Sequence, residues 1–294
     1  MRRSLKPACL GVLAAVLSVA AVAACSGSAA QPKVTEYYLA LGDSLSQGVQ
    51  PDAAGASVET DQGYADQLYG TLRSKYPDAG LVKLGCPGET TATMVNGGLC
   101  RYAQRSQLAS ATAFLRAHHG HIVLVTIDIG ANDPENCASG STLAGKAACA
   151  GTAIPAAVGN LNTIMAALRN AAGPETPIVG MSYYLPALAD WRNGLADKVG
   201  VWGLEKATGV YNDALDRVYK NSGAKVADVF DAFDTSDFGN DSTLQGSGTV
   251  PRNVFLVCQW TWACTSPPRG PNQHPNETGY SVIARAFLSA SGLG

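Results

Sequence analysis

A single α/β domain built on a parallel sheet is the fold class this sequence predicts. Short apolar runs alternate with stretches of helical periodicity along most of the chain. The first three runs end in turns that carry Gly with Ser, Pro or Asn, as strands feeding loops do. No internal repeat and no second composition regime interrupts the alternation. Strands separated by helices argue for a parallel sheet with crossover helices, and 294 residues with 46% hydrophobic side chains can bury the core it needs.

The first run, Tyr37-Tyr38-Leu39-Ala40-Leu41, breaks at Gly42 and delivers Asp43 and Ser44. A run this short and this apolar reads as a strand buried on both faces. Residues 48–61 hold Gly, Pro, Ala and Asp without periodicity, a loop. Tyr64, Leu68 and Leu72 then mark a helix over residues 63–76. Residues 81–84 are a second strand ending at Gly85-Cys86-Pro87-Gly88, and Leu108, Ala111 and Leu115 share one face of a helix over 106–118. Residues 122–127 form the third strand and run into Asp128-Ile129-Gly130-Ala131-Asn132-Asp133. After a loop bounded by Cys137 and Cys149 come a helix at 154–172, a strand at 177–181, a helix at 204–221 and a fifth strand at 225–229. The chain to about residue 276 is a polar, Gly- and Pro-rich excursion. A final helix spans 276–288, with Glu277 in its first turn.

The first 24 residues stand apart. Arg2, Arg3 and Lys6 precede an apolar and small-residue run over 10–22, the pattern of an export signal and too short for a comfortable membrane span. The ending Val22-Ala23-Ala24-Cys25 resembles a bacterial lipobox, so Cys25 is expected to be lipidated and to become the mature N-terminus. The alternative is ordinary cleavage that leaves Cys25 merely exposed. Residues 25–36, small and polar through Lys33, read as a tether to a domain over 37–294. Removing the signal leaves 18 basic against 23 acidic residues, and no basic cluster supports nucleic-acid binding.

Six of the eight cysteines remain after Cys9 and Cys25 are set aside. Six permit 15 connectivities. Sequential pairing, Cys86–Cys100, Cys137–Cys149 and Cys258–Cys264, is the simplest because each bridge closes one local loop. The spacings match no metal-binding cysteine pattern, and an exported chain favours disulfides.

Chemistry gathers beyond the carboxyl ends of parallel strands. Those ends carry Ser44, Gly88 and Asn132. A serine hydroxyl there can attack a carbonyl carbon, and the N–H groups of Ser44 and Gly88 with the Asn132 amide can donate to the resulting oxyanion. A serine needs a base. His118, His119 and His121 cluster at a helix C-terminus and read as a solvated cap. His274 instead sits in Gly270-Pro271-Asn272-Gln273-His274-Pro275-Asn276, a stiff loop before the last helix. Asp43 and Asp133 read as turn-fixing residues, Asp128 as a buried group with unnamed partners, and Trp260 and Trp262 as either pocket lining or packing.

Gly42-Asp43-Ser44-Leu45, Gly88, Gly130-Ala131-Asn132-Asp133 and a late His274-Pro275, in that order, resemble the blocks of the SGNH (GDSL) hydrolases over nearly the whole mature chain. Within that superfamily the three local Cys pairs and Cys86-Pro87-Gly88-Glu89-Thr90-Thr91 are similar to secreted actinobacterial esterases and lipases. The resemblance implies a flavodoxin-like three-layer αβα sandwich with a five-stranded parallel sheet. It also implies a serine esterase with Ser44 as nucleophile, His274 as base, an oxyanion hole from Ser44, Gly88 and Asn132, and no metal or cofactor. The family's last block carries Asp three residues before the His, and here that position is Pro271. A main-chain carbonyl near Pro271 or in the 260–264 loop is therefore expected to orient His274, with Asp228 or Asp231 as the alternative.

The expected protein is a lipid-anchored or secreted, extracytoplasmic monomer acting on a small-molecule or lipid ester. Two alternatives stand beside it: a carbohydrate or cell-wall O-deacetylase of the same fold, and a binding lipoprotein without catalysis.

Overall fold

A computed structural model describes residues 35–139, 143–239 and 241–294. The signal run, Cys25 and nearly all of the 25–36 tether lie outside the described residues.

β1 (Glu36–Gly42) is apolar on both faces, with Tyr38 to Leu41 fully buried. The loop after it carries a two-stranded ribbon, β2 (Gln50–Pro51) with β3 (Ser57–Val58). α1 (Tyr64–Leu72) buries Tyr64, Leu68 and Leu72 at helical spacing. β4 (Ala79–Lys83) leads to two helices with side-chain caps: α2 (Thr91–Asn96) starts at Thr90 and α3 (Gln107–Ala117) at Ser106. Every residue of β5 (Ile122–Asp128) is buried, and the single turn of α4 (Asn132–Glu135) follows. Then come α5 (Leu143–Ala172), β6 (Ile178–Met181), α6 (Leu195–Asn221), β7 (Lys225–Ala227) and α7 (Val229–Ala232). A hairpin of β8 (Asp241–Leu244) and β9 (Gly248–Pro251) precedes α8 (Arg252–Trp260), and α9 (Glu277–Ser291), capped by Asn276, closes the chain.

The main sheet has the order β4-β1-β5-β6-β7, parallel throughout. α1 packs against α9, while α3, α5 and α6 pack in sequence, so helices flank the sheet as a doubly wound α/β fold requires. The order reverses at β1: the chain steps to β4 on one side, then crosses to β5 on the other. The carboxyl ends of β1 and β5 therefore flank the crevice that such a reversal opens. The structure pairs Cys86 with Cys100, Cys137 with Cys149 and Cys258 with Cys264, the sequential connectivity.

Element boundaries differ from the sequence reading in instructive places. α5 begins at Leu143, so the expected loop between Cys137 and Cys149 is partly helical. Pro155 lies inside α5 and resembles the first residue of a helix, which is where proline is favoured. α6 starts nine residues before position 204, and the fifth strand stops at Ala227 because Asp228 caps α7 by accepting from the Asp231 N–H at 3.0 Å. The polar excursion contains α8, which buries Val254, Leu256 and Val257. Its apolar stretch is too short for its period to separate helix from strand.

Candidate active site

Gly42 ends β1 with φ +130°, and a Cβ there would lie 2.0 Å from the Asp128 carbonyl oxygen. Only glycine lets β1 and β5 approach this closely. The Asp43 N–H donates to that carbonyl at 3.0 Å and faces the Asp128 carboxylate oxygen Oδ2 at 3.2 Å. The Asp43 carboxylate accepts from the Leu45 N–H at 3.0 Å, which fixes the turn on either side of Ser44.

Ser44 Oγ lies 2.8 Å from His274 Nε2, across 230 residues of sequence. His274 Nδ1 lies 2.8 Å from Asn272 Oδ1, which also accepts from the His274 backbone N–H at 2.9 Å. This corrects the expected main-chain acceptor. The Trp262 carbonyl, in the loop where an acceptor was expected, is taken by the Asn272 N–H at 3.1 Å. Asp228 and Asp231 are elsewhere: the Asp228 carboxylate accepts from the Ser182 hydroxyl and the Asp231 N–H. Asn272 was within reach of sequence reasoning, two positions before the histidine, but no spacing rule separates it from an ordinary turn residue.

The His274 segment is held at both edges. Trp262 N–H donates to the His274 carbonyl and Asn276 N–H to the Trp260 carbonyl, lacing residues 272–276 to 260–262. The Asn272 side-chain amide donates to Ser57 Oγ in β3, and the Trp262 indole N–H to Gln50 Oε1 in β2, each at 3.3 Å. Trp260 packs edge-on against Phe233. Burial lowers the His274 pKa to about 4, so its imidazole is neutral at pH 7 and able to accept a proton. The other histidine cluster is built differently: His118 caps α3, stacks on Phe114 and meets the Phe114 carbonyl through Nδ1 at 2.9 Å.

Asn132 opens α4 at the end of β5. Its amide donates to the Glu89 carbonyl at 2.9 Å, while its approach to Asp43 Oδ2, at 3.4 Å, is long for a hydrogen bond. Gly88 has φ +81° and is exposed, and an added Cβ would meet only Leu99, at 3.7 Å, so glycine serves the backbone conformation rather than space. The N–H groups of Ser44 and Gly88 meet no acceptor among the described residues. Asp133 takes the Thr91 N–H at 3.0 Å and the Thr91 hydroxyl at 2.6 Å, joining α2 to α4 as a turn-fixing residue would.

Behind the serine, Asp128 is fully buried and accepts from the Tyr64 hydroxyl. Burial first, and then the neighbouring Asp43 charge, raise the Asp128 pKa well above the carboxylate range. Burial also raises that of Asp43. Both neighbouring carboxyls are thus pushed toward their neutral forms, Asp128 by burial and by the Asp43 charge beside it.

The structure is similar to solved hydrolases at low identity. An acetylxylan esterase from Geobacillus stearothermophilus matches with TM-score 0.54 and 16% identity, over 89% of this chain and 96% of that one. A phospholipase A1 from Streptomyces albidoflavus NA297 matches with TM-score 0.52 and 18% identity, over 87% and 99%. No curated protein sequence matches. The GDSL-like lipase/acylhydrolase family matches over residues 40–282, and the chain therefore belongs to that family of carboxylic ester hydrolases.

Proposed function

We propose that this chain is an exported, lipid-anchored serine esterase that forms an acyl-enzyme on Ser44. His274 Nε2 takes the hydroxyl proton as Ser44 Oγ attacks the ester carbonyl carbon. Asn272 Oδ1 accepts from Nδ1–H, which keeps the lone pair on Nε2 and the ring facing the serine. The N–H groups of Ser44 and Gly88 and the Asn132 amide bind the oxyanion, the amide by turning from its long contact with Asp43. His274 then protonates the leaving alkoxide, and a water deprotonated by the same imidazole hydrolyses the acyl-enzyme. The carrying observation is the relay of 2.8 Å from Ser44 to His274 and 2.8 Å onward to Asn272.

All these groups come from one chain, so the proposed site needs no second copy. Three disulfides support an oxidising, extracytoplasmic compartment, and the apolar run ending at Cys25 supports a lipid anchor. The test is hydrolysis of short- and medium-chain p-nitrophenyl esters by the wild type and Ser44→Ala. Loss of turnover in the variant is expected, and turnover that survives overturns the mechanism. Palmitate incorporation that disappears in Cys25→Ala tests the anchor; equal incorporation in both removes it.

A further inference from the structure

On the β4 side of β1, the sheet ends before the nucleophile does. β1 and β4 stay in register only from Glu36–Ala79 to Ala40–Lys83. β4 then turns away, and the Cys86 N–H still reaches the Gly42 carbonyl at 3.0 Å, but the Gly42 N–H has no strand to meet. The Gln107 side chain fills that place. Its Oε1 accepts from the Gly42 N–H at 2.7 Å and its Nε2 donates to the Gly42 carbonyl at 2.8 Å, so one amide side chain stands in for a missing peptide unit. Gln107 is the first residue of α3 and is fully buried.

A second buried residue reinforces the orientation of that amide. Glu89 Oε2 accepts from Gln107 Nε2 at 3.0 Å, and the Tyr102 hydroxyl, which donates to the Leu84 carbonyl at 2.8 Å, lies 3.3 Å from the same nitrogen. The Gly42 N–H only donates and its carbonyl only accepts, so Gly42 fixes which end of the amide faces which, and Glu89, accepting at the nitrogen end, reinforces that choice. Glu89 also follows Gly88, and its own carbonyl holds the Asn132 amide at 2.9 Å. Its Oε1 is buried without a hydrogen-bond partner among the described residues.

We propose that Gln107 and Glu89 act as one positioning unit, which fixes the turn carrying Ser44 and the oxyanion donors Gly88 and Asn132 in a single register. This rests on the Ser44 reading above. It extends it to two residues that touch no substrate. Small displacements of reacting groups cost about 10²-fold in rate, so the unit is expected to act on kcat while leaving ground-state binding nearly intact.

The experiment measures kcat, KM and melting temperature on p-nitrophenyl acetate, with competent sites counted by a fluorophosphonate probe. Wild type that hydrolyses the ester without labelling at Ser44 defeats the serine reading, and the positioning unit with it. Given labelling, Gln107→Leu is expected to lower kcat per labelled site about 10- to 100-fold with KM within about twofold. Gln107→Glu sets two carboxylates face to face, so one must take a proton; its kcat is expected to rise as pH falls from 8 to 6, where wild type is flat. Glu89→Gln, the mildest change, leaves Gln107 Nε2 with a neutral acceptor in place of the carboxylate, loosens the amide against Gly42 and is expected to lose severalfold in kcat. A kcat per labelled site within twofold of wild type in Gln107→Leu, whatever its melting temperature, overturns the proposal. If that variant does not fold, unchanged kcat in Glu89→Gln does the same.

Discussion

Asn272 Oδ1 sits 2.8 Å from His274 Nδ1, where a carboxylate would complete a charged triad. The acceptor is a neutral amide. It can fix the ring plane and tautomer, but it adds no negative charge to stabilise the imidazolium that the proposed proton transfer from Ser44 would form. The low pKa of His274, about 4, follows from burial without such a charge.

A base must be neutral to act, so kcat/KM is expected to hold from pH 8 down to about 5 and to fall as pH drops through about 4. Asn272→Asp brings a carboxylate to Nδ1, raises the His274 pKa and moves that acid limb to higher pH. Asn272→Ala frees the ring and is expected to lower kcat about 10²-fold. A pH–rate series on one p-nitrophenyl ester reads both, and an acid limb that stays in place in Asn272→Asp counts against the orientation role.

Asn132→Ala removes one of the proposed oxyanion donors. The expected loss is about 10²–10³ in kcat, with a small change in KM, since the donor matters once charge develops on the carbonyl oxygen. Steady-state kinetics settle it: a variant that raises KM and spares kcat would place Asn132 in substrate binding instead.

Asp128 makes stability depend on pH in a defined direction. Its folded pKa is raised above the unfolded value, so folded protein holds a proton that the unfolded chain releases. That contribution is full below the unfolded pKa, about 3.9, and is lost as pH rises toward the folded one. Asp128→Asn keeps a neutral group of the same shape beside Asp43 and removes the titration. The melting temperature of wild type relative to Asp128→Asn is expected to be higher at pH 4.5 than at pH 7.5. Taking the difference cancels the opposite slope from His274, whose lowered pKa costs stability as pH falls below about 6.5. Parallel curves for the two proteins contradict the raised pKa of Asp128.

Cys86–Cys100 closes a 14-residue separation around Gly88. Replacing both cysteines by Ala is expected to cost about 3 kcal/mol by chemical denaturation, and to lower kcat because Gly88 loses one anchor. Full activity in the double variant would show that the Cys86 N–H bond to Gly42 and the Glu89 contacts hold the loop unaided.

The strand cores were legible because burial on both faces writes itself as apolar runs, as in residues 37–41 and 122–127. α8 was not, since four apolar residues inside a Gly- and Pro-rich stretch satisfy more than one period. The start of α6 was hidden because its first turns stay exposed, Leu195, Val199 and Trp202 included, with Val201 the one buried residue among the first nine, so no core-facing stripe marks it. Among the proposed site residues, Ser44, Gly88 and Asn132 stand out by their places after strand ends, and His274 as one of only four histidines. Gln107 carries no such mark: an amide at the start of a helix looks like any solvated polar residue.

By itself, then, the sequence determined the alternation of strands and helices, and with it a parallel sheet whose carboxyl ends bear a serine, a glycine and an asparagine. Those follow from local burial and periodicity, which neighbouring residues encode. Tertiary structure alone decided what holds those groups. That Asn272 rather than a main-chain carbonyl meets His274 depends on a local side-chain geometry that spacing does not fix, and that Asp128 lies against Asp43 and Gln107 replaces a strand beside Gly42 depends on partners the chain brings together only on folding. Such bonds are fixed by angles and distances of a few tenths of an ångström, and a one-dimensional pattern does not carry them.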